Sequence, residues 1–166
     1  MITTDEVLTL LLHELLYDEK LVYVIDNQSR EILLNNVGDF FNFDPDRSVK
    51  IQGMERYSSE VFDLGNHYAK LYNHNGPVTC HLFMANKNSP SFKMHTDPDH
   101  VVIHCCEGKK TFIIDDKYII LEAGDHVLIP AGVKHQALNE HAAITLSFGL
   151  EFFLKDKIQH ELDVLS

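Results

Sequence analysis

The spacing of apolar and polar positions changes character near residue 77. Before it, TTDEVLTLLLHELLY puts Val7, Leu11 and Leu15 on one helical stripe, behind Thr3 and Glu6 at capping-box spacing. This predicts a helix from about Thr4 to Tyr17. LVYVID and EILLNN, separated by the turn-like Asn27-Gln28-Ser29-Arg30, predict two short strands or a hairpin. Phe40 to Pro45 reads as a loop with buried aromatics. A second helix is expected from Ser59 to Tyr72, with Val61, Leu64, Tyr68 and Leu71 on one face and a costly Gly65 inside, ending at the breaker Asn73 to Pro77. From Val78 the period becomes two. VTCHLFMA, HVVIHCC, TFIID, KYIIL, HVLIP and AITLSFGL are short strands separated by turns such as Asp115-Asp116 and Ala123-Gly124, the pattern of a small barrel or jelly roll. The closing DKIQHELDVLS is a short helix or tail.

The chain has 166 residues at ordinary apolar content, which suits one unit with a sizeable core. In that reading residues 1–76 elaborate the N-terminal side of a β core spanning 77–150, and 151–166 follow as a tail. With 14 basic against 25 acidic residues and no basic patch, neither a nucleic-acid backbone nor an anionic membrane is an expected partner. Cys80, Cys105 and Cys106 lack a disulfide framework. No apolar run reaches membrane-spanning length, and Asp5 and Glu6 stand where a signal peptide carries positive charge. A reduced, cytoplasmic location is expected.

The candidate chemistry lies in FKMHTDPDHVVIHCCEGKKTF and the downstream GDHVLIPAGVKH. His95 and Asp97 are one residue apart, so on an extended backbone their side chains point the same way and can close on one ion. His135 supplies a third ligand. Two imidazoles and a carboxylate on one face of an octahedral metal form the arrangement of non-haem Fe(II) oxygenases, with positions left for cosubstrate and dioxygen.

GDHVLIPAGVKHQALN carries Gly124, Pro130, Gly132, His135 and Asn139 at the offsets of the second cupin motif. The first cupin motif is partial: Gly108 is in place, Asp97 replaces the second histidine, and Val101 stands where the glutamate ligand would be. From about Pro77 to Phe148 the chain resembles the cupin superfamily, and this three-ligand departure resembles the JmjC-like oxygenases that use Fe(II) and 2-oxoglutarate, including ribosomal-protein hydroxylases. The resemblance implies a mainly β, cupin-type double-stranded β-helix (jelly roll) with N-terminal helices, and His95, Asp97 and His135 as both metal ligands and catalytic centre. It also implies Lys110, on the strand after Gly108, as the anchor of the distal carboxylate of 2-oxoglutarate. Pairing of copies through exposed barrel edges is a further habit of cupins.

The residues agree with this on chemical grounds. 2-Oxoglutarate chelated through its 1-carboxylate and keto oxygen needs a cation for its other end, and Lys110 has the charge and reach. Alternation from the ligands turns Val101, Ile103 and Cys105 inward, an apolar wall against water, and His100, Val102 and His104 outward. Thr145 and Ser147 share a polar face of the last strand that suits a cosubstrate pocket. His81 alternates with Thr79 and Phe83 on a strand expected to line the barrel, where packing is favoured over contact with the site. The segment Asn86 to Met94 is expected to be a mobile approach carrying substrate contacts. His13, His67, His74, His100, His104, His126, His141 and His160 read as exposed or satisfied histidines.

The resulting expectation is an Fe(II)- and 2-oxoglutarate-dependent oxygenase, a hydroxylase whose prime substrate is a small molecule or a protein. Two alternatives stand beside it: a metal cupin enzyme without a keto-acid requirement, and a non-catalytic cupin that binds a ligand.

Overall fold

The computed structural model describes residues 1–44 and 46–165. In chain order these form α1 (Thr4–Leu10), α2 (Glu14–Asp18), β1 (Val22–Ile25), β2 (Glu31–Leu33), α3 (Val37–Asn42), β3 (Ser48–Ile51), a single 3-10 turn (Met54–Arg56) and α4 (Ser59–Leu71). There follow β4 (Val78–Ala85), β5 (His100–Ile114), β6 (Lys117–Glu122), β7 (His126–Ile129), β8 (His135–Leu138), β9 (Ala143–Leu150) and α5 (Leu154–Leu165).

The architecture is a jelly roll built around β5. Its first half pairs with β9 and β7, its second half with β6 and β8, all antiparallel. The larger sheet runs β2, β1, β3, β4, β9 and then the first half of β5, so the N-terminal hairpin and β3 extend the sheet that carries the cupin-like strands. Between the halves the pairing of β5 with β9 shifts register at Cys105 and Glu107, and Gly108 has φ +77°. A β-bulge with a residue in the left-handed region bends the strand and lets one chain serve two sheets. A Cβ at Gly108 would meet the Ala142 carbonyl oxygen at 2.0 Å, so this position is closed to any side chain.

Alternation along β9 divides the interior. Ile144, Leu146, Phe148 and Leu150 are buried in a core with Val7, Leu11, Val61 and Tyr68 from the helices. Thr145, Ser147 and Gly149 instead line a cavity on the opposite face. Each fully buried Leu, Ile or Phe contributes about 1.5–3 kcal/mol, so the helical layer anchors the sheet that shapes the cavity. Gly65, costly in an isolated helix, lets α4 approach: a Cβ there would lie 3.3 Å from the Phe148 ring and from Val78.

Four expectations are corrected. The predicted helix from Thr4 to Tyr17 is two helices, because the Tyr17 hydroxyl donates at 2.7 Å to the Leu11 carbonyl that a continuous helix would have given to Leu15. Leu15 is consequently 66% exposed, and Tyr17 is buried in its stead. The first half of the supposed loop of buried aromatics falls on α3, capped by Asn36 accepting from the Asp39 N–H at 2.8 Å; Phe40 and Phe43 pack partly buried against the core while Phe41 is 64% exposed, and Pro45 lies outside the described residues. HVVIHCC and TFIID belong to one strand, and β3 and β8 were not expected at all. Leu71, placed on the buried face of its helix, is exposed.

Substituting Gly108→Ala is expected to cost at least about 2 kcal/mol of stability in urea unfolding, through backbone strain and the clash with Ala142. A loss below about 0.5 kcal/mol would show that the bend in β5 does not need this residue.

Candidate metal centre and its cavity

His95, Asp97 and His135 converge. One ligand atom from each lies within 4.8 Å of the others. Two segments distant in sequence are joined by a reciprocal pair of backbone hydrogen bonds, His95 N–H to the His135 carbonyl at 3.1 Å and His135 N–H to the His95 carbonyl at 2.9 Å. The imidazole centroids are 4.4 Å apart. Asp97 is held from behind by the Gly132 N–H donating to its carbonyl at 2.9 Å.

Backbone carbonyls also select the tautomers. His95 Nδ1 lies 2.7 Å from the Lys93 carbonyl and His135 Nδ1 lies 3.0 Å from the Val133 carbonyl. A carbonyl only accepts, so both Nδ1 atoms carry hydrogen and both Nε2 atoms are turned to Asp97, at 3.8 Å from His95 and 3.1 Å from His135. The His135 contact holds the Asp97 carboxyl below its ordinary value, and Asp97 raises His135 in turn. The donor set fits a divalent transition metal: two fixed imidazole nitrogens and a carboxylate. The His135 side chain is 7% exposed, but those of His95 and Asp97 are 38% and 34% exposed, so the cluster is closed on one side and open on the other.

The open side faces a cavity of about 620 Å³ that Lys110, Thr145 and Ser147 also line, so all six sequence-predicted site residues meet in one space. Lys110 is 5% exposed. Its Nζ donates to the Asn139 Oδ1 at 2.5 Å, and no carboxylate pairs with it among the described residues. Burial pushes its pKa down to about 8, which leaves it charged at neutral pH. Val101 and Ile103 reach the cavity as alternation required, while His104 turns away and bonds the Tyr68 hydroxyl at 2.6 Å. His100 is satisfied by the Ala131 N–H at 2.9 Å.

Three features escaped the sequence. Asn139 was visible only as a motif position. Its Nδ2 donates to the Ser89 and Pro90 carbonyls at 3.0 and 3.1 Å while its Oδ1 receives Lys110, so one amide ties the cavity's buried cation to the approach loop. That loop, expected to be mobile, is further pinned by Ser48 Oγ to the Pro90 carbonyl at 2.6 Å and Ser29 Oγ to the Ser91 carbonyl at 2.7 Å. Lys50 and Glu31 form an ion pair at 2.6 Å on the cavity wall, on strands whose charges gave no signal of facing inward. His81 lines the cavity, and its buried Nδ1 has no hydrogen-bond partner among the described residues. Packing alone does not account for that orphaned atom.

Residues 81–149 match the family described as Cupin domain. No curated protein matches the chain. Among solved structures, YcfD, a ribosomal oxygenase from Escherichia coli in complex with cobalt and succinic acid, matches with TM-score 0.72 and 15% identity over 98% of this chain and 47% of that one. The same protein in complex with cobalt and 2-oxoglutarate matches with TM-score 0.67 and 15% identity, over 99% of this chain and 48% of that one. The chain therefore spans about half the length of the ribosomal oxygenase. Fold and comparisons together show a jelly roll that matches the Cupin domain over residues 81–149 and is similar in fold to a ribosomal oxygenase. No described helix is long and apolar enough to cross a membrane.

Burial holds His81 neutral, its pKa down at about 4. The folded protein thus binds fewer protons than the unfolded chain between about pH 4 and about pH 6.5, and stability is lost as pH falls through that window. The thermal midpoint of the wild type is expected to drop over this range by about 5 °C more than that of His81→Gln. Parallel curves for the two proteins would show that His81 is not held neutral.

Proposed function

We propose that this protein is an Fe(II)- and 2-oxoglutarate-dependent oxygenase, a hydroxylase, in which residues 77–150 form the catalytic core and residues 1–76 elaborate it. The observation that carries the reading is the joint placement, in one cavity, of a His95, Asp97 and His135 cluster and a buried Lys110 without an anionic partner. Likeness of fold to the Escherichia coli ribosomal oxygenase, in complex with cobalt and 2-oxoglutarate, supports it. The free cysteines and acidic balance suit a cytoplasmic setting.

In this reading His95 and His135 present Nε2, and Asp97 its carboxylate, to iron. Bound iron and 2-oxoglutarate supply dioxygen activation coupled to decarboxylation of the keto acid to succinate and carbon dioxide. The chain's own residues do the positioning. Lys110 donates to the distal carboxylate of 2-oxoglutarate, Asn139 fixes where that ammonium sits, and the Thr145 and Ser147 hydroxyls offer further hydrogen bonds. Val101, Ile103 and Phe112 exclude water from the reacting end.

Calorimetric titration of 2-oxoglutarate into the anaerobic Fe(II)-loaded protein tests this. Lys110→Met is expected to weaken binding by about thirtyfold or more, because the buried charge-assisted contact is lost. Wild-type affinity is expected to fall as pH rises through about 8, where free Lys110 loses its proton, and the variant to show no such fall. Binding unaffected by Lys110→Met would contradict the assignment. Iron binding without 2-oxoglutarate binding would leave a metal cupin enzyme, and neither would leave a ligand-binding cupin. His95→Ala is expected to abolish succinate formation, and sustained turnover in that variant would remove it from the metal site.

A further inference from the structure

The cavity has a second polar end. Lys50, 10% exposed, and Glu31, 31% exposed, are paired there at 2.6 Å, with His81 on the neighbouring strand. Lys50 also lies 5.7 Å over the Tyr23 ring. An ammonium has three donors and the pair uses one; the second Glu31 oxygen has no hydrogen bond among the described residues. The Nδ1 of His81 adds a buried polar atom without a hydrogen-bond partner among the described residues. The pair is closed on the Lys50 side and open on the Glu31 side, and its place on a cavity wall beside an imidazole nitrogen without a partner points to a ligand that completes it.

The sign of this end differs from that of Lys110. There an unpaired cation suits an anion. Here the charges cancel: a lone carboxylate is repelled by Glu31, a lone amine by Lys50, and only a group carrying both charges is matched on each side. Between this end and the metal cluster runs an aromatic wall. Phe83, in register with Lys50 on the adjoining strand, stands edge-on to Phe92 at 6.2 Å, and Phe92 stands edge-on to His95 at 6.2 Å.

We propose that the prime substrate is a free α-amino acid with an apolar side chain, its α-carboxylate on Lys50, its α-ammonium on Glu31, His81 completing the head-group contacts, and its side chain running along Phe83 and Phe92 toward His95. The direction of the side chain rests on the oxygenase reading; the head-group recognition does not. An internal residue of a protein carries neither charge and leaves the pair unmatched. The cavity volume lies in the range of small-molecule pockets. Ile25 and Ser48, like Lys50 and Glu31, line this space from strands that precede the cupin match at 81–149.

The test is calorimetry on metal-free protein near neutral pH, with L-valine, L-leucine, L-isoleucine, L-methionine and L-phenylalanine titrated singly. Any that binds is followed by its counterparts lacking the amine or the carboxylate. At least one amino acid is expected to bind, with both counterparts weaker by about tenfold or more. Lys50→Met is expected to weaken it by a similar factor. No binding by any of the five, or a counterpart that binds less than about tenfold weaker, overturns the proposal without recourse to a variant that has to fold. Titration of 2-oxoglutarate into the anaerobic Fe(II)-loaded protein separates the two readings: its failure alone sinks the cosubstrate assignment, and failure of the amino acids alone sinks this one.

Discussion

Two hydrogen bonds hold the site together. The reciprocal backbone pair between His95 and His135 brings the loop after β4 onto the first residue of β8. Backbone bonds are indifferent to side-chain rotamers, so both imidazoles start from a fixed separation, and the Lys93 and Val133 carbonyls then set their rotation. Asp97, fixed through its own carbonyl by Gly132, completes the cluster. The geometry is thus built largely by main chain, with little reliance on long flexible side chains.

What this frame encloses follows from strand alternation and from the bend in β5. One face of the larger sheet is buried under α1 and α4; the other would be equally apolar if the jelly roll were only a packed core. Instead the inner face carries Lys50, His81, Thr145 and Ser147, with Lys110 facing them from the smaller sheet. Buried polar groups cost free energy unless paired, and two of these, Lys110 and His81, are partnered incompletely or not at all. The helical layer offsets that cost.

The convergence of His95, Asp97 and His135 was legible because its signals are local: His95 and Asp97 at strand spacing, and His135 within a contiguous run of motif residues. Of the inward set Val101, Ile103 and Cys105, the first two line the cavity as counting by twos requires, whereas Cys105, at the bulge, is buried in the core of the smaller cluster. Signals that depend on tertiary contact were lost. Nothing local announces that the Tyr17 hydroxyl will capture the Leu11 carbonyl and split a helix, or that Gly108 is a bulge inside one strand instead of a break between two. β3 turns the polar Ser48 and Lys50 to the cavity, and β8 is part polar (HQAL), so neither showed the apolar run by which the equally short β1 and β7 were found. The roles of Asn139, Lys50 and His81 depend on which distant backbone or charge stands opposite, and that is set only when the two sheets close.

The central claim is that His95, Asp97 and His135 chelate one divalent ion on the open side of this frame. Anomalous diffraction at the metal edge, from crystals grown anaerobically with Fe(II), tests it most directly. One strong peak is expected at about 2.0–2.2 Å from Nε2 of His95, Nε2 of His135 and a carboxylate oxygen of Asp97, with no fourth protein ligand. A peak elsewhere, no peak, or a further side chain filling the open positions would contradict it.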